Sequence, residues 1–274
     1  MPERNIRLTL AYDGTDFVGW QLQKRGRTVQ GVLQDGLGRM HGHPVHVVAA
    51  GRTDSGVHAT GQVSNFRTDI DSIAPPRFRD AVNSYLPPDV RVMESAEVPA
   101  AFHARRSARQ RVYRYYTLCG PVLPPHLRRY RHWVRRRLDL SLLSTLAAVL
   151  VGEHDFTCFS AEGDANLSKV RRIATSAFHV EGDTLIYTVA ASSFLWKMVR
   201  TIMGTLFMLE EQGRGARDLG LIMDAGTRAN AGGTAPARGL FLERVVYDGE
   251  GNGSEDALGD DESPGGLGDD GVQD

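Results

Sequence analysis

Apolar and polar residues alternate from the start of the chain, with Ile6, Leu8, Leu10 and Tyr12 set between Arg7, Thr9 and Ala11. A period of two predicts a half-buried strand, and Asp13-Gly14 ends it. The spacing then becomes helical. Val29, Val32, Leu33, Leu37 and Met40 form one face behind Thr28, whose hydroxyl suits a helix cap. Short strands are predicted at 45–49 and 61–66, a helix from Pro75-Pro76 to just before Pro87-Pro88, and a strand over 90–98.

The same order then recurs. Residues 111–118 read as a strand, and Leu142, Leu143, Leu146 and Leu150 stripe a helix opened by Asp139 or Ser141. Strands over 173–180 and 184–190 flank Glu181-Gly182-Asp183, a hairpin turn. A long helix over 194–212 shows Leu195, Met198, Ile202, Leu206 and Leu209 on one face, and a strand over 240–247 closes the pattern. Strand-helix-strand-strand-helix-strand is the ferredoxin-like order. Two copies predict an α+β fold of two ferredoxin-like halves, 1–104 and 105–248, sharing a largely antiparallel central sheet.

Charge divides the chain differently. Gly249 to Asp274 holds nine acidic residues, eight glycines and no basic residue. Such a segment buries too little to offset its ordering entropy, so 249–274 is expected to be a disordered acidic tail. The remaining body has 32 basic and 24 acidic residues, and 29 of the 32 are arginine. Between Ala101 and Leu140 stand eleven arginines and three histidines against one acid, interleaved with Tyr113, Tyr115, Tyr116, Tyr130 and Trp133. Clustered arginine with aromatics suits gripping phosphates and covering unstacked bases, which points to RNA.

Other classes recede. No apolar run reaches the roughly 18 residues of a membrane span, and the opening MPERNIRLTL lacks a signal-type apolar core. No membrane association and a cytoplasmic location are the expectation. Cys119 and Cys158 stand alone, and His41, His43 and His46 fall at a helix end and strand start, so no metal and no cofactor are expected.

Two features suggest a site. Asp54 lies in the glycine-rich loop Gly51-Arg52-Thr53-Asp54-Ser55-Gly56-Val57-His58 between two predicted strands, with Arg52 two residues away on the same side of an extended chain. A carboxylate beside a guanidinium stays ionised even where water is excluded. The 194–212 helix is apolar nearly all round yet carries Lys197 and Arg200, and a buried cation needs an anion. Either an internal salt bridge or a cation aimed into a site would answer that.

The segment 51–59, GRTDSGVHA, resembles the catalytic motif of the tRNA pseudouridine synthase A family. Tyr12-Asp13-Gly14 with Gly19-Trp20-Gln21, and Thr28-Val29-Gln30, are similar to that family's opening. Phe102-His103-Ala104-Arg105 followed by Arg111, Tyr113, Arg114 and Tyr115 resembles its F-H-A-R…Y-R-Y stretch. So do Gly152-Glu153-His154-Asp155-Phe156, Phe194 to Arg200, and Ala235-Pro236 with Gly239-Leu240 resemble later family segments, in order, over about residues 5–247. Ser55 stands where alanine is also common, Trp196-Lys197 fills positions that often hold histidine or arginine, and the acidic tail has no counterpart.

The resemblance implies a pseudouridine synthase fold and an isomerase converting uridine to pseudouridine at positions 38, 39 and 40 of the tRNA anticodon arm, as a homodimer. It implies Asp54 as nucleophile, Arg52 as its pairing and orienting partner, Arg200 as the cation near the carboxylate, and Tyr113 against the target base. His103, Arg105, Arg111 and Lys197 are expected substrate contacts. Two rivals remain open: a non-catalytic RNA-binding protein, and an aspartic protease suggested by Asp54-Ser55-Gly56, which would need a second carboxylate face to face with the first.

Overall fold

The alternation at the chain start becomes β1 (Arg4–Tyr12), with Ile6, Leu8, Leu10 and Tyr12 all buried. The computed structural model describes residues 3–249, so the expectation for 249–274 lies, Gly249 apart, outside the described residues. α1 (Val29–His41) is capped as predicted, the Thr28 hydroxyl accepting the Gly31 N–H, and Gly42 ends it at φ 75°. β2 (Val47–Ala49) and β3 (His58–Thr68) follow. α2 (Phe78–Asn83) is shorter than predicted, preceded by a 3-10 turn at Pro75–Arg77. It stops where the Asn83 amide bonds both backbone groups of Val92 in β4 (Val90–Glu97).

In the second repeat come β5 (Ala108–Cys119), the short β6 (His132–Val134), α3 (Leu140–Val149) capped by Asp139, and β7 (Gly152–Asp155). β8 (Val170–Glu181) and β9 (Thr184–Ala191) form the predicted hairpin. α4 (Met198–Glu211) starts four residues later than the apolar pattern predicts, because Lys197 adopts φ 60° and the N–H of Trp196 is taken by Asp164. α5 (Ala216–Ala225) and β10 (Leu240–Tyr247) complete the order. Three pieces escaped the sequence pattern: β6 and β7 span only three or four residues, and α5 buries little beyond Leu219 and Ile222.

The strands form one sheet in the order β4-β1-β3-β10-β5-β9-β8-β7, with β2 also on β3 and β6 on β5. Two sets share one arrangement. β4-β1-β3-β2 and β10-β5-β9-β8 each place their strands in the ferredoxin-like order fourth, first, third, second. α1 and α2 pack on each other beside the first set, and α3 and α4 do so beside the second. Pairing is antiparallel except at β5–β6 and at the contact between the sets, where Phe241 and Leu242 of β10 pair parallel with His58 and Ala59 of β3. Just beyond, β10 bulges at Glu243 and meets Gly61, where a Cβ would sit 2.3 Å from the Glu243 carbonyl oxygen. Any side chain at 61 would push the two sets apart. Among the described residues no helix is long and apolar enough to cross a membrane.

Behind β5 the core is aromatic: His132 meets the rings of Tyr115 and Phe207 at 6.1 and 5.6 Å. Burial, and secondarily Arg238, hold the His132 pKa down at about 4, against an ordinary value of 6.5. The unfolded chain therefore takes up a proton that the folded chain refuses. This contribution to stability is complete above about pH 7 and is lost as pH falls from 6.5 toward 4. Burial depresses His58 as well, with the same sign. Urea unfolding at about pH 7.5 and about pH 4.5 should show a smaller loss for His132→Phe than for the wild type, the remainder belonging to His58, His103 and the carboxylates. Equal losses would mean that His132 is protonated in the folded protein.

Candidate active site

Residues 50–57 connect β2 to β3 and carry Asp54 to the contact between the two strand sets. Backbone and side-chain bonds fix the loop along its length. The Ala50 N–H donates to Val63 O at 2.8 Å, and Gly51 O accepts the Gln62 amide at 2.9 Å. Thr53 O accepts the Trp20 N–H at 3.1 Å, while its hydroxyl lies 2.8 Å from the Tyr12 hydroxyl. Gly56 N–H donates to Phe17 O at 3.2 Å. The two glycines of the 12–21 segment let that segment press directly on the loop: a Cβ at Gly14 would stand 2.0 Å from Val57 O, and one at Gly19, with φ 109°, 2.7 Å from Thr53 O.

His58 closes the loop from behind. Its Nδ1 accepts the Gly14 N–H at 3.0 Å and its Nε2 donates to Arg129 O at 2.9 Å, an arrangement that assigns the neutral ring. The ring stacks on Phe241 at 4.6 Å, tying the loop to β10.

Arg200 reaches Asp54 from the other strand set, with Nη1 3.3 Å from Oδ2. Its Nε donates to Ala235 O at 2.8 Å, and the Ala235 N–H returns a bond to Arg200 O at 2.9 Å. α4 lies close enough to the 232–235 chain for this because residue 204 is glycine: a Cβ there would fall 1.7 Å from Gly233 O. The guanidinium is thus fixed before any ligand arrives, and it orients the carboxylate. Both side chains are mostly buried, at 15% and 19% exposure, yet they face a cavity of about 1260 Å3. Tyr113 lines the same cavity, its ring edge-on to Phe194 at 5.2 Å and 87°. Burial pushes its phenol well up, with Tyr12 and the Asp54 carboxylate adding to the shift, so the ring presents a neutral face.

An oriented carboxylate beside an aromatic wall can act as nucleophile or base on a flat substrate. A second carboxylate, Asp164, lines the cavity, but donors from Trp196, Asn166 and Lys169 hold it as an anion. The shared-proton pair of an aspartic protease is therefore not formed by Asp54 and Asp164 among the described residues. Among the described residues no three histidine, cysteine, aspartate or glutamate side chains gather as metal ligands.

A family model described as tRNA pseudouridine synthase matches residues 9–105 and 146–248. A Treponema denticola protein named tRNA pseudouridine synthase A is 47% identical over 250 residues, covering 89% of this chain and 93% of its own length. Proteins of the same name from Halalkalibacterium halodurans and Caldicellulosiruptor saccharolyticus are 43% and 39% identical, over 88% and 89% of this chain and 92% and 100% of their own lengths.

The fold brings Asp54, Arg52, Arg200, Tyr113, His103, Arg105, Arg111 and Lys197 to one cavity wall, with Arg200 at the Asp54 carboxylate as expected but not in the expected relations for Arg52 and Arg111. The Asp54 ion pair is with Arg200, whereas Arg52 is exposed; the chain turns at Ser55-Gly56, just past Asp54. Of the long basic stretch only His103, Arg105 and Arg111, with Tyr113, reach the cavity. Arg136 pairs with Glu210, Arg109 with Asp248, and Arg131 lies over Tyr116. The loop carrying Asp164 and Asn166 was missed; its only sequence signal is an Asp-x-Asn turn.

Arg111 is a correction of another kind. Its guanidinium is buried and donates to the carbonyls of Ala50, Arg105, Ala108 and Ser192 at 2.6–3.3 Å, so its donors hold the cavity wall rather than a ligand. Burial lowers its pKa from the ordinary arginine value. Lysine cannot supply that planar fork. Arg111→Lys should lower stability by about 2 kcal/mol, read as a shift of the urea midpoint, by leaving buried carbonyls unpaired. A midpoint equal to that of the wild type would return Arg111 to ligand binding.

Proposed function

The chain belongs to the tRNA pseudouridine synthase family, and we propose that it isomerises uridines 38, 39 and 40 in the anticodon stem-loop of tRNA with Asp54 as nucleophile. The observation that carries this reading is the Asp54–Arg200 pair at 3.3 Å, set in a cavity whose wall also holds Tyr113. Enzymes of this family are isomerases. The reaction breaks the N1–C1′ glycosidic bond, turns the uracil, joins C5 to C1′ and releases the C5 proton.

The Asp54 carboxylate attacks the uridine, at ribose C1′ or at uracil C6, and the detached base must then be kept from water. Arg200 orients the carboxylate, and the Tyr113 ring packs on the uracil. To enter, the uridine leaves its stack at a cost of about a few kcal/mol, which charge on neighbouring phosphates offsets. Arg52 and Arg105, exposed at the cavity, with His103 and Lys197 beside them, suit that contact. The enzyme works in the cytoplasm as a homodimer, the anticodon arm lying across both subunits.

The deciding measurement is tritium release from tRNA carrying 5-tritiated uridine, with wild type, Asp54→Ala and Asp54→Asn in parallel. The wild type should release tritium, and the variants should bind tRNA while losing at least about 1000-fold in rate. Release by Asp54→Asn at the wild-type rate would remove Asp54 as nucleophile, and tight binding without release by any form would leave an RNA-binding protein. Sedimentation at micromolar protein should give the dimer mass, and a monomer mass would overturn the homodimer.

A further inference from the structure

Four residues before Arg200, Trp196 stands in the cavity wall with 48% of its surface exposed. The other tryptophans are placed differently: Trp20 is buried, and Trp133 donates its indole N–H to Gly120 O at 2.9 Å. The exposure of Trp196 is not looseness, because its backbone is held at both ends of the residue. Its N–H donates to Asp164 Oδ2 at 2.6 Å, and its carbonyl accepts the Ala161 N–H at 3.0 Å.

Asp164 is a firm anchor. Its side chain is nearly inaccessible and also accepts from the Asn166 backbone and amide and from Lys169 Nζ at 3.1 Å. Burial alone would raise its carboxyl, but those donors hold it well below the usual carboxylate range. One residue on, Lys197 takes φ 60°, the one positive φ outside glycine among the described residues. A lysine backbone enters that region only when its surroundings impose it. The fold thus breaks the start of an apolar helix and keeps a large flat indole half-exposed in the wall of the cavity that also holds Asp54.

The chemistry of the surroundings selects the occupant. Lys197 Nζ lies over the Trp196 ring, 4.9 Å from its centre, and the residue is 48% exposed. A π-face with an ammonium beside it matches a nucleobase and its adjoining phosphate. We infer that Trp196 is a stacking platform for the unpaired base next to the target uridine, with Lys197 on the phosphate joining the two. Asp164 acts through Trp196 and is a positioning residue. The inference rests on the proposed reaction at Asp54 and deepens it by naming a substrate contact.

Two measurements test it. In the tritium assay Trp196→Ala should raise KM about ten-fold with kcat within about two-fold of wild type, and Trp196→Phe should recover most of the loss. Tryptophan fluorescence should be quenched when tRNA is added to the wild type, and that quench should vanish in Trp196→Phe, where only Trp20 and Trp133 emit. A wild-type KM for Trp196→Ala, or a quench that persists in Trp196→Phe, overturns the platform. A changed sedimentation of Trp196→Ala with unchanged KM assigns the indole to a contact between copies and overturns it equally. A wild type that releases no tritium while its Trp196 signal is quenched by tRNA would sink the isomerase reading and support the platform.

Discussion

β3 and β10 lie side by side for only two parallel residue pairs, and that contact governs where chemistry can occur in this molecule. It depends on Gly61, whose missing side chain admits the Glu243 bulge, and on the stack of His58 upon Phe241. The loop carrying Asp54 enters β3 at this point. The chain before β10 passes Ala235, which grips Arg200. Two groups 146 residues apart therefore meet because the last strand of one repeat sits beside the third strand of the other.

That meeting contributes less to stability than to site geometry. Removing two charges from water costs about as much as their attraction returns, so a mostly buried pair such as Asp54–Arg200 adds little to the net folding free energy. Loss of one partner, by contrast, strands the other charge. The surrounding bonds agree with a site built for position: Arg200 is held through Ala235, Ala235 lies against α4, and Gly204 and Gly232 allow that approach. Arg111 marks the contrast. It is an arginine of similar burial whose donors all end on backbone carbonyls, and it stiffens the wall on which Tyr113 stands.

The basic stretch shows how sequence proximity dissolves in a strand. Arg111, Tyr113 and Tyr115 alternate onto one face of β5 and are buried, while Arg114 and Tyr116 go to the other, near Glu243 and Arg131. A cluster of eleven arginines along the chain becomes several separate neighbourhoods in space, with different partners.

Much of the architecture was legible because it is written in local periods. The burial of β1, the Thr28 and Asp139 caps, the β8–β9 hairpin and the doubled strand-helix order follow from spacing that a few neighbouring residues set. The Asp54 loop was legible too, since its glycines and short polar residues already demand a shaped turn. The partner of Asp54 was not legible from spacing: Arg52 is near in sequence, but the ion pair goes to Arg200, which only the family resemblance implied and which the fold brings across 146 residues. The late start of α4 had no local cause either, since Asp164 takes the Trp196 N–H across 32 residues. Short-range backbone and hydrophobic periodicity therefore set most of the strands and helices and marked the loop that carries the chemistry. Which of the basic side chains reach the cavity, and which aromatic ring stays bare, depends on close approaches between backbones that lie far apart along the chain.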